Sequence, residues 1–123
     1  MPEIDVLIVD DEPYIRLTLS HLLKKSGYIA DTAEDGMEAI AKVQQQIPKL
    51  MFLDIMMPRK NGYEVLTNLK NDVNFKNIHI IMLSAKRQAA DKQRALELGA
   101  DGFIPKPYDP SDVLSRVRKV CRD

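Results

Sequence analysis

The sequence predicts an α/β protein in which five βα units build one doubly wound parallel sheet with helices on both faces. Three observations predict it. Short, continuous apolar runs recur along the chain, amphipathic stretches of helical period separate them, and acidic or hydroxyl residues stand directly after three of the runs. An unbroken apolar run suits a strand buried on both faces, as in a parallel sheet covered by helices.

The elements follow in order. Val6-Leu7-Ile8-Val9 reads as the first strand and halts at Asp10-Asp11. Pro13 suits the first turn of a helix, and Ile15, Leu19, Leu22 and Leu23 recur at helical spacing up to a stop at Gly27. Tyr28 to Thr32 reads as the second strand. Asp35-Gly36 is a turn, Met37, Ile40 and Val43 fit the next helix, and Pro48 breaks it. Leu50-Met51-Phe52-Leu53 is the third strand and ends at Asp54. Asn61-Gly62 opens a helix carrying Leu66, Leu69 and Val73. Ile78 to Leu83 is the fourth strand, ending at Ser84, and a helix with Ala95 and Leu98 closes at Gly99. Phe103-Ile104 is a short fifth strand ending near Lys106-Pro107. Asp109-Pro110 caps and opens a last helix with Val113, Leu114, Val117 and Val120. A helix between each pair of strands excludes hairpins. Right-handed crossovers then give the strand order 2-1-3-4-5, the flavodoxin-like topology.

Bulk properties narrow the function. With 123 residues, the chain holds one domain and one core, and 45% hydrophobic with 29% charged residues is a soluble, globular composition. Eighteen basic and eighteen acidic side chains cancel, so the balance gives no electrostatic reason to expect nucleic acid or an anionic membrane as a partner. The single cysteine, Cys121, excludes an internal disulfide. No apolar run approaches the roughly 20 residues that span a bilayer, and Pro2-Glu3-Ile4-Asp5 does not open like a signal peptide. A cytoplasmic location is expected.

Ligands of an open parallel sheet bind at the carboxyl ends of its strands. Asp10 and Asp11, Asp54, Ser84 and Lys106 all fall there, on four neighbouring strands. Alone, each has an ordinary explanation: Asp11 as a helix cap, Ser84 as a loop residue, Lys106 as a solvated side chain. Their convergence changes the reading. Three carboxylates in one pocket repel by about 4 kcal/mol per pair at 4 Å and intermediate dielectric. A hard divalent cation such as Mg²⁺ relieves this and favours carboxylate, water and phosphate oxygens. Lys106 can meet a phosphoryl oxygen, Ser84 can donate to another, and an aspartate is a known covalent phosphoryl acceptor.

At this point the chain resembles the response-regulator receiver family over essentially all of residues 1–123, as a single, chemotaxis-regulator-like receiver domain. The resemblance is carried by Val6-Leu7-Ile8-Val9-Asp10-Asp11-Glu12, by Leu53-Asp54-Ile55-Met56-Met57-Pro58 with Asn61-Gly62, by Leu83-Ser84-Ala85, and by Gly99-Ala100-Asp101-Gly102-Phe103 with Lys106-Pro107. It implies a phosphorylation-dependent signalling switch of two-component systems, not a turnover enzyme. Asp54 would be the phosphoacceptor. Asp10, Asp11, Asp54 and the backbone carbonyl of Met56 would hold Mg²⁺, with Mn²⁺ able to substitute. Lys106 would pair with Asp54 or its phosphoryl group, and Lys106-Pro107 would be a cis bond. Ser84 and Phe103 would be the switch pair, and Met56 and Lys86 would flank the phosphoryl group and tune its hydrolysis. The implied partners are a sensor histidine kinase or histidine phosphotransfer protein as donor, and a downstream target or an output domain outside this sequence, contacted through helix four, strand five and helix five.

Two positions depart from the commonest pattern. Lys49 stands where an acid is frequent, and Phe103 lacks the hydroxyl of the frequent tyrosine. Rival readings fit less well. A Mg²⁺-dependent aspartyl-phosphate phosphatase carries a second acid two residues after its nucleophile, where Met56 stands here. A flavin module would need a phosphate loop after the first strand, where Asp10-Asp11-Glu12 would repel it. A degenerate receiver would not keep the whole set of acids, hydroxyl and lysine.

Overall fold

The computed structural model describes residues 4–85 and 89–121. Ten elements alternate: β1 (Val6–Val9), α1 (Pro13–Lys25), β2 (Ala30–Ala33), α2 (Gly36–Gln45), β3 (Leu50–Leu53), α3 (Gly62–Lys70), β4 (His79–Ser84), α4 (Ala89–Glu97), β5 (Gly102–Pro105) and α5 (Pro110–Cys121). All strand pairings are parallel, and the sheet order is β2-β1-β3-β4-β5, as the sequence predicts.

Strand alternation sends successive side chains to opposite faces, and each face meets its own helices. Val6, Ile8, Leu50, Phe52, Ile81, Leu83 and Ile104 pack on Ile15, Leu19 and Leu23 of α1 and on Val113 and Val117 of α5. Leu7, Val9, Met51, Leu53, Ile80 and Met82 pack on the other face with Ala39 and Val43 of α2, Val65, Leu66 and Leu69 of α3, and Ala95 of α4. This two-faced burial is why β1 and β3 carry no polar residue.

Local signals set most boundaries. Pro13 sits at the start of α1. Asn61 and Glu64 form a reciprocal capping box that starts α3, and Asp109 Oδ1 accepts from Ser111 N at 2.9 Å at the start of α5. Two expectations need correction. The second strand runs from Ala30 to Ala33, because Ile29 N is taken by the Asp5 carboxylate at 2.8 Å and Ile29 itself is exposed. Helix α3 ends at Lys70, with Asn71 as its C-cap, and Val73 is 74% exposed in the turn beyond. The ordinary alternative for Asp11, a cap on α1, does not hold, because the N-cap position is Glu12. Lys49 lies at the end of the sheet away from the acidic cluster, 3.3 Å from Asp5.

Candidate functional site

The acidic residues stand where the strands stop. Backbone ladder bonds continue one residue past each apolar run: Asp10 N donates to Ala33 O at 3.1 Å, and Asp54 N donates to Val9 O at 2.9 Å. These bonds hold Asp10 and Asp54 side by side at the end of adjacent strands. Both are buried, at 1% and 4% exposure, while Asp11 is exposed. Carboxylate oxygens of Asp10, Asp11 and Asp54 lie within 4.8 Å of one another.

Among the described residues, the Lys106 ammonium reaches this cluster from across the sheet. Lys106 N donates to Ser84 O at 2.8 Å, which ties the chain after β5 to the end of β4. The Lys106-Pro107 bond that follows is cis. The Lys106 ammonium sits 2.7 Å from Asp10 Oδ2, 3.3 Å from Glu12 Oε1 and 3.7 Å from Asp54 Oδ2. Asp10 Oδ1 accepts from Glu12 N at 3.0 Å. The Met56 backbone N–H hydrogen-bonds to the Asp54 carboxylate.

The electrostatics follow from burial and crowding. Asp54 is pushed up to about 7, first by desolvation and then by the neighbouring charge of Asp10; Lys106 pulls the other way and Asp11 adds a further push. Desolvation also raises Asp10, opposed by its bonds to Lys106 and Glu12 N. Burial works against the Lys106 ammonium, yet the Asp10 hydrogen bond and the charges of Asp54, Asp10 and Glu12 outweigh it and hold its pKa above the ordinary value. One ammonium therefore does not neutralise the cluster. Clustered hard oxygen donors with an uncompensated negative charge fit Mg²⁺. The acids are the only group of three or more metal-ligating side chains among the described residues.

The structure thus brings Asp10, Asp11, Asp54 and Lys106 together, and places Ser84, fully buried, at the neighbouring strand end. Phe103 lies half-buried on β5, packed against the core face shared with α3 and α4. The Met56 side chain is 61% exposed. Lys86 lies outside the described residues. Three participants went unread in the sequence. Glu12 is the third partner of Lys106. Arg16 Nη1 donates to Asp10 O at 2.8 Å and steadies the acidic turn from α1. Arg59, after Asp54, donates to the Asp35 carboxylate. For Glu12 the adjacent acidic pair was an available signal. For the two arginines no local pattern announces the partner.

A doubly wound sheet with acids on two adjacent central strands and a lysine reaching in from beyond β5 is the arrangement that the resemblance to receiver domains implies. Comparison with known proteins agrees. The model of the response regulator receiver domain matches residues 6–118, and the chain belongs to that family. Among relatives, the probable transcriptional regulator ycf27 of Guillardia theta is 44% identical over 95% of this chain and 45% of its own length. The alkaline phosphatase synthesis transcriptional regulatory protein PhoP of Bacillus subtilis is 41% identical over 95% of this chain and 48% of its own length. Protein PilG of Pseudomonas aeruginosa is 39% identical, over 92% of this chain and 84% of its own. The chain therefore spans about half the length of the first two relatives and most of PilG. The crystallised chemotaxis protein CheY4 of Vibrio cholerae superposes with a TM-score of 0.89 at 34% identity, over 97% of this chain and 99% of that one. Receiver domains are signalling switches rather than turnover enzymes. No helix among the described residues is long and apolar enough to cross a membrane.

Proposed function

We propose that this chain, as one receiver domain over residues 1–123, is switched by phosphorylation of Asp54. The observation that carries the reading is a buried aspartate, pushed up to about 7, with two carboxylates beside it and the Lys106 ammonium 3.7 Å away. Asp10, Asp11, Asp54 and the Met56 carbonyl would hold Mg²⁺, or Mn²⁺ in its place, which supplies charge neutralisation around the phosphoryl group.

The chain's own residues do the rest. A carboxylate oxygen of Asp54 attacks the phosphorus of a phosphohistidine on a sensor kinase or phosphotransfer protein. The P–N bond breaks, the imidazole leaves and an acyl phosphate forms. An open groove of about 550 Å³ beside Lys106, lined by Tyr14, Ile15, Thr18, Pro107 and Tyr108, supports a protein donor at this edge. Phosphorylation adds about 1.5 to 2 negative charges and strong acceptor oxygens. Lys106 pairs with one of them. Ser84 turns its hydroxyl toward another, Phe103 moves inward, and the surface of α4, β5 and α5 changes for a target or an output domain. A bias that exists only in the phosphorylated state is what a population shift requires. Water later hydrolyses the acyl phosphate. Met56 and Lys86 tune that rate by crowding or orienting the water, and replacing both by alanine should change the lifetime.

Intact mass after incubation with acetyl phosphate tests the reading. One phosphoryl increment should appear in the wild type, require Mg²⁺ and vanish in Asp54→Asn. A folded wild type that gains no mass would refute it.

A further inference from the structure

Arg59 is the one non-glycine residue with a left-handed backbone among those described, at φ 66°. A side chain disfavours that region, and such a conformation persists where the surroundings over-determine it. Here two contacts do so. Arg59 Nε donates to Asp35 Oδ2 at 3.0 Å, and Nη2 donates to the same oxygen. The other oxygen of Asp35 accepts from Glu38 N at 2.8 Å, as the N-cap of α2. The helix start thus holds the buried carboxylate rigid, and Asp35 presents Arg59 with a fixed anchor. Next to it, a Cβ on Gly36 would stand 2.4 Å from Lys60 O, so α2 also presses directly on the loop backbone.

This loop is the stretch between Asp54 and α3. Its far end is pinned too: Gly62 N donates to Ile55 O at 2.9 Å. Between the pins lies Met56, whose N–H bonds to the Asp54 carboxylate and whose carbonyl is the fourth metal ligand of the reading above. We propose that Asp35 and Arg59 form a clamp that positions this loop, so that α2 sets the Mg²⁺ affinity of the site through the Met56 peptide. The inference rests on the metal reading under Proposed function. Neither residue touches the reacting atoms; both act through the backbone that carries them.

Titrating the full chain with MgCl₂, followed by amide chemical shifts, tests the clamp. Asp35→Asn keeps the cap acceptor but loses the charge, and Arg59→Gln loses the guanidinium. Each should weaken Mg²⁺ binding about threefold to tenfold, at or below the low end for groups that orient metal ligands. The double variant should be no weaker than either single one, because both break the same contact. Arg59→Lys should fall between wild type and Arg59→Gln. Lys42→Gln breaks a comparable pair on α2, with Asp31 at 3.2 Å, away from the loop, and should leave the affinity within about twofold. A merely structural role would lower the melting temperature of all these variants and leave Mg²⁺ affinity untouched; that result, or additive losses in the double variant, overturns the clamp alone. A wild type that shows no Mg²⁺-dependent shifts at Asp10, Asp11 or Asp54 overturns the metal reading and the clamp with it.

Discussion

Replacing Asp54 by asparagine should stabilise the metal-free protein. Asp54 has a pKa of about 7 in the folded chain against 3.8 for an ordinary aspartate. Between those values the folded state holds a proton that the unfolded state has released. The contribution of Asp54 is therefore fully present below about pH 4 and is lost as pH rises through about 7. At about 1.4 kcal/mol per pKa unit, the loss by pH 8 amounts to about 4 kcal/mol. Asparagine keeps the shape and one acceptor but carries no charge, and Lys106 retains Asp10 at 2.7 Å. The expected gain at pH 8 is about 2–4 kcal/mol, the lower figure allowing for the lost attraction to Lys106. For a chain of this size that is about 8–16 °C in melting temperature. Urea unfolding of both proteins in EDTA, at pH 8 and at pH 4.5, measures it. A variant no more stable than wild type at pH 8 would refute the reasoning. So would a gain that persists undiminished at pH 4.5, where the wild-type carboxyl is already neutral.

Other substitutions probe the frame around the site. Gly62→Ala would place a Cβ 2.1 Å from Asp54 O, so a change that normally favours a helix should here cost more than about 2 kcal/mol in urea unfolding and displace the Asp54 amide resonance. Lys106→Ala leaves Asp10 and Asp54 buried without their cation and should cost about 2–4 kcal/mol at pH 8, less at pH 4.5 as the carboxyls protonate. Phe52→Ala removes a fully buried ring from the face covered by α1 and α5 and should cost about 3–5 kcal/mol, with Mg²⁺ affinity unchanged in the folded fraction.

The central strands were legible because β1 and β3 are buried on both faces, which forces continuous apolar runs with nothing polar to confuse the reading. Where burial is partial, legibility fails. Tyr28 and Ile29 look like strand residues but precede β2: the Ile29 carbonyl accepts from Asp5 N and Val6 N, while its amide goes to the Asp5 carboxylate. Val73 continues a helical spacing but lies beyond Asn71, where the chain has already turned. The acids were legible for a topological reason: strand ends on neighbouring central strands must meet. The links that steady them were not. The Arg59 pair with Asp35 spans 24 residues, and the left-handed backbone at Arg59 falls on a residue type that gives no hint of it. Arg16 reaches Asp10 through a backbone carbonyl, which no side-chain pattern encodes.

Protons and the metal should compete for the same carboxylates, and this ties the electrostatics to the switch. A magnesium ligand must be ionised, yet Asp54 holds its proton up to about pH 7, first because it is desolvated and then because Asp10 is beside it. Asp10 is raised for the same leading reason, so it adds to the competition at lower pH. Below pH 7 each Mg²⁺ must displace about one proton from Asp54. Its apparent dissociation constant should then rise about tenfold per pH unit between pH 6.5 and 5, more steeply once Asp10 also protonates, and level off above pH 7.5. Calorimetric titration with MgCl₂ in two buffers of different ionisation enthalpy counts the released protons directly. About one proton at pH 6 and almost none at pH 8.5 is the expected result. In Asp54→Asn the release at pH 6 should collapse while residual binding through Asp10 and Asp11 weakens. Binding that is pH-independent from 5.5 to 8 would mean that the ion does not engage Asp54, and the acidic cluster would lose its claim to be the phosphoryl-transfer site.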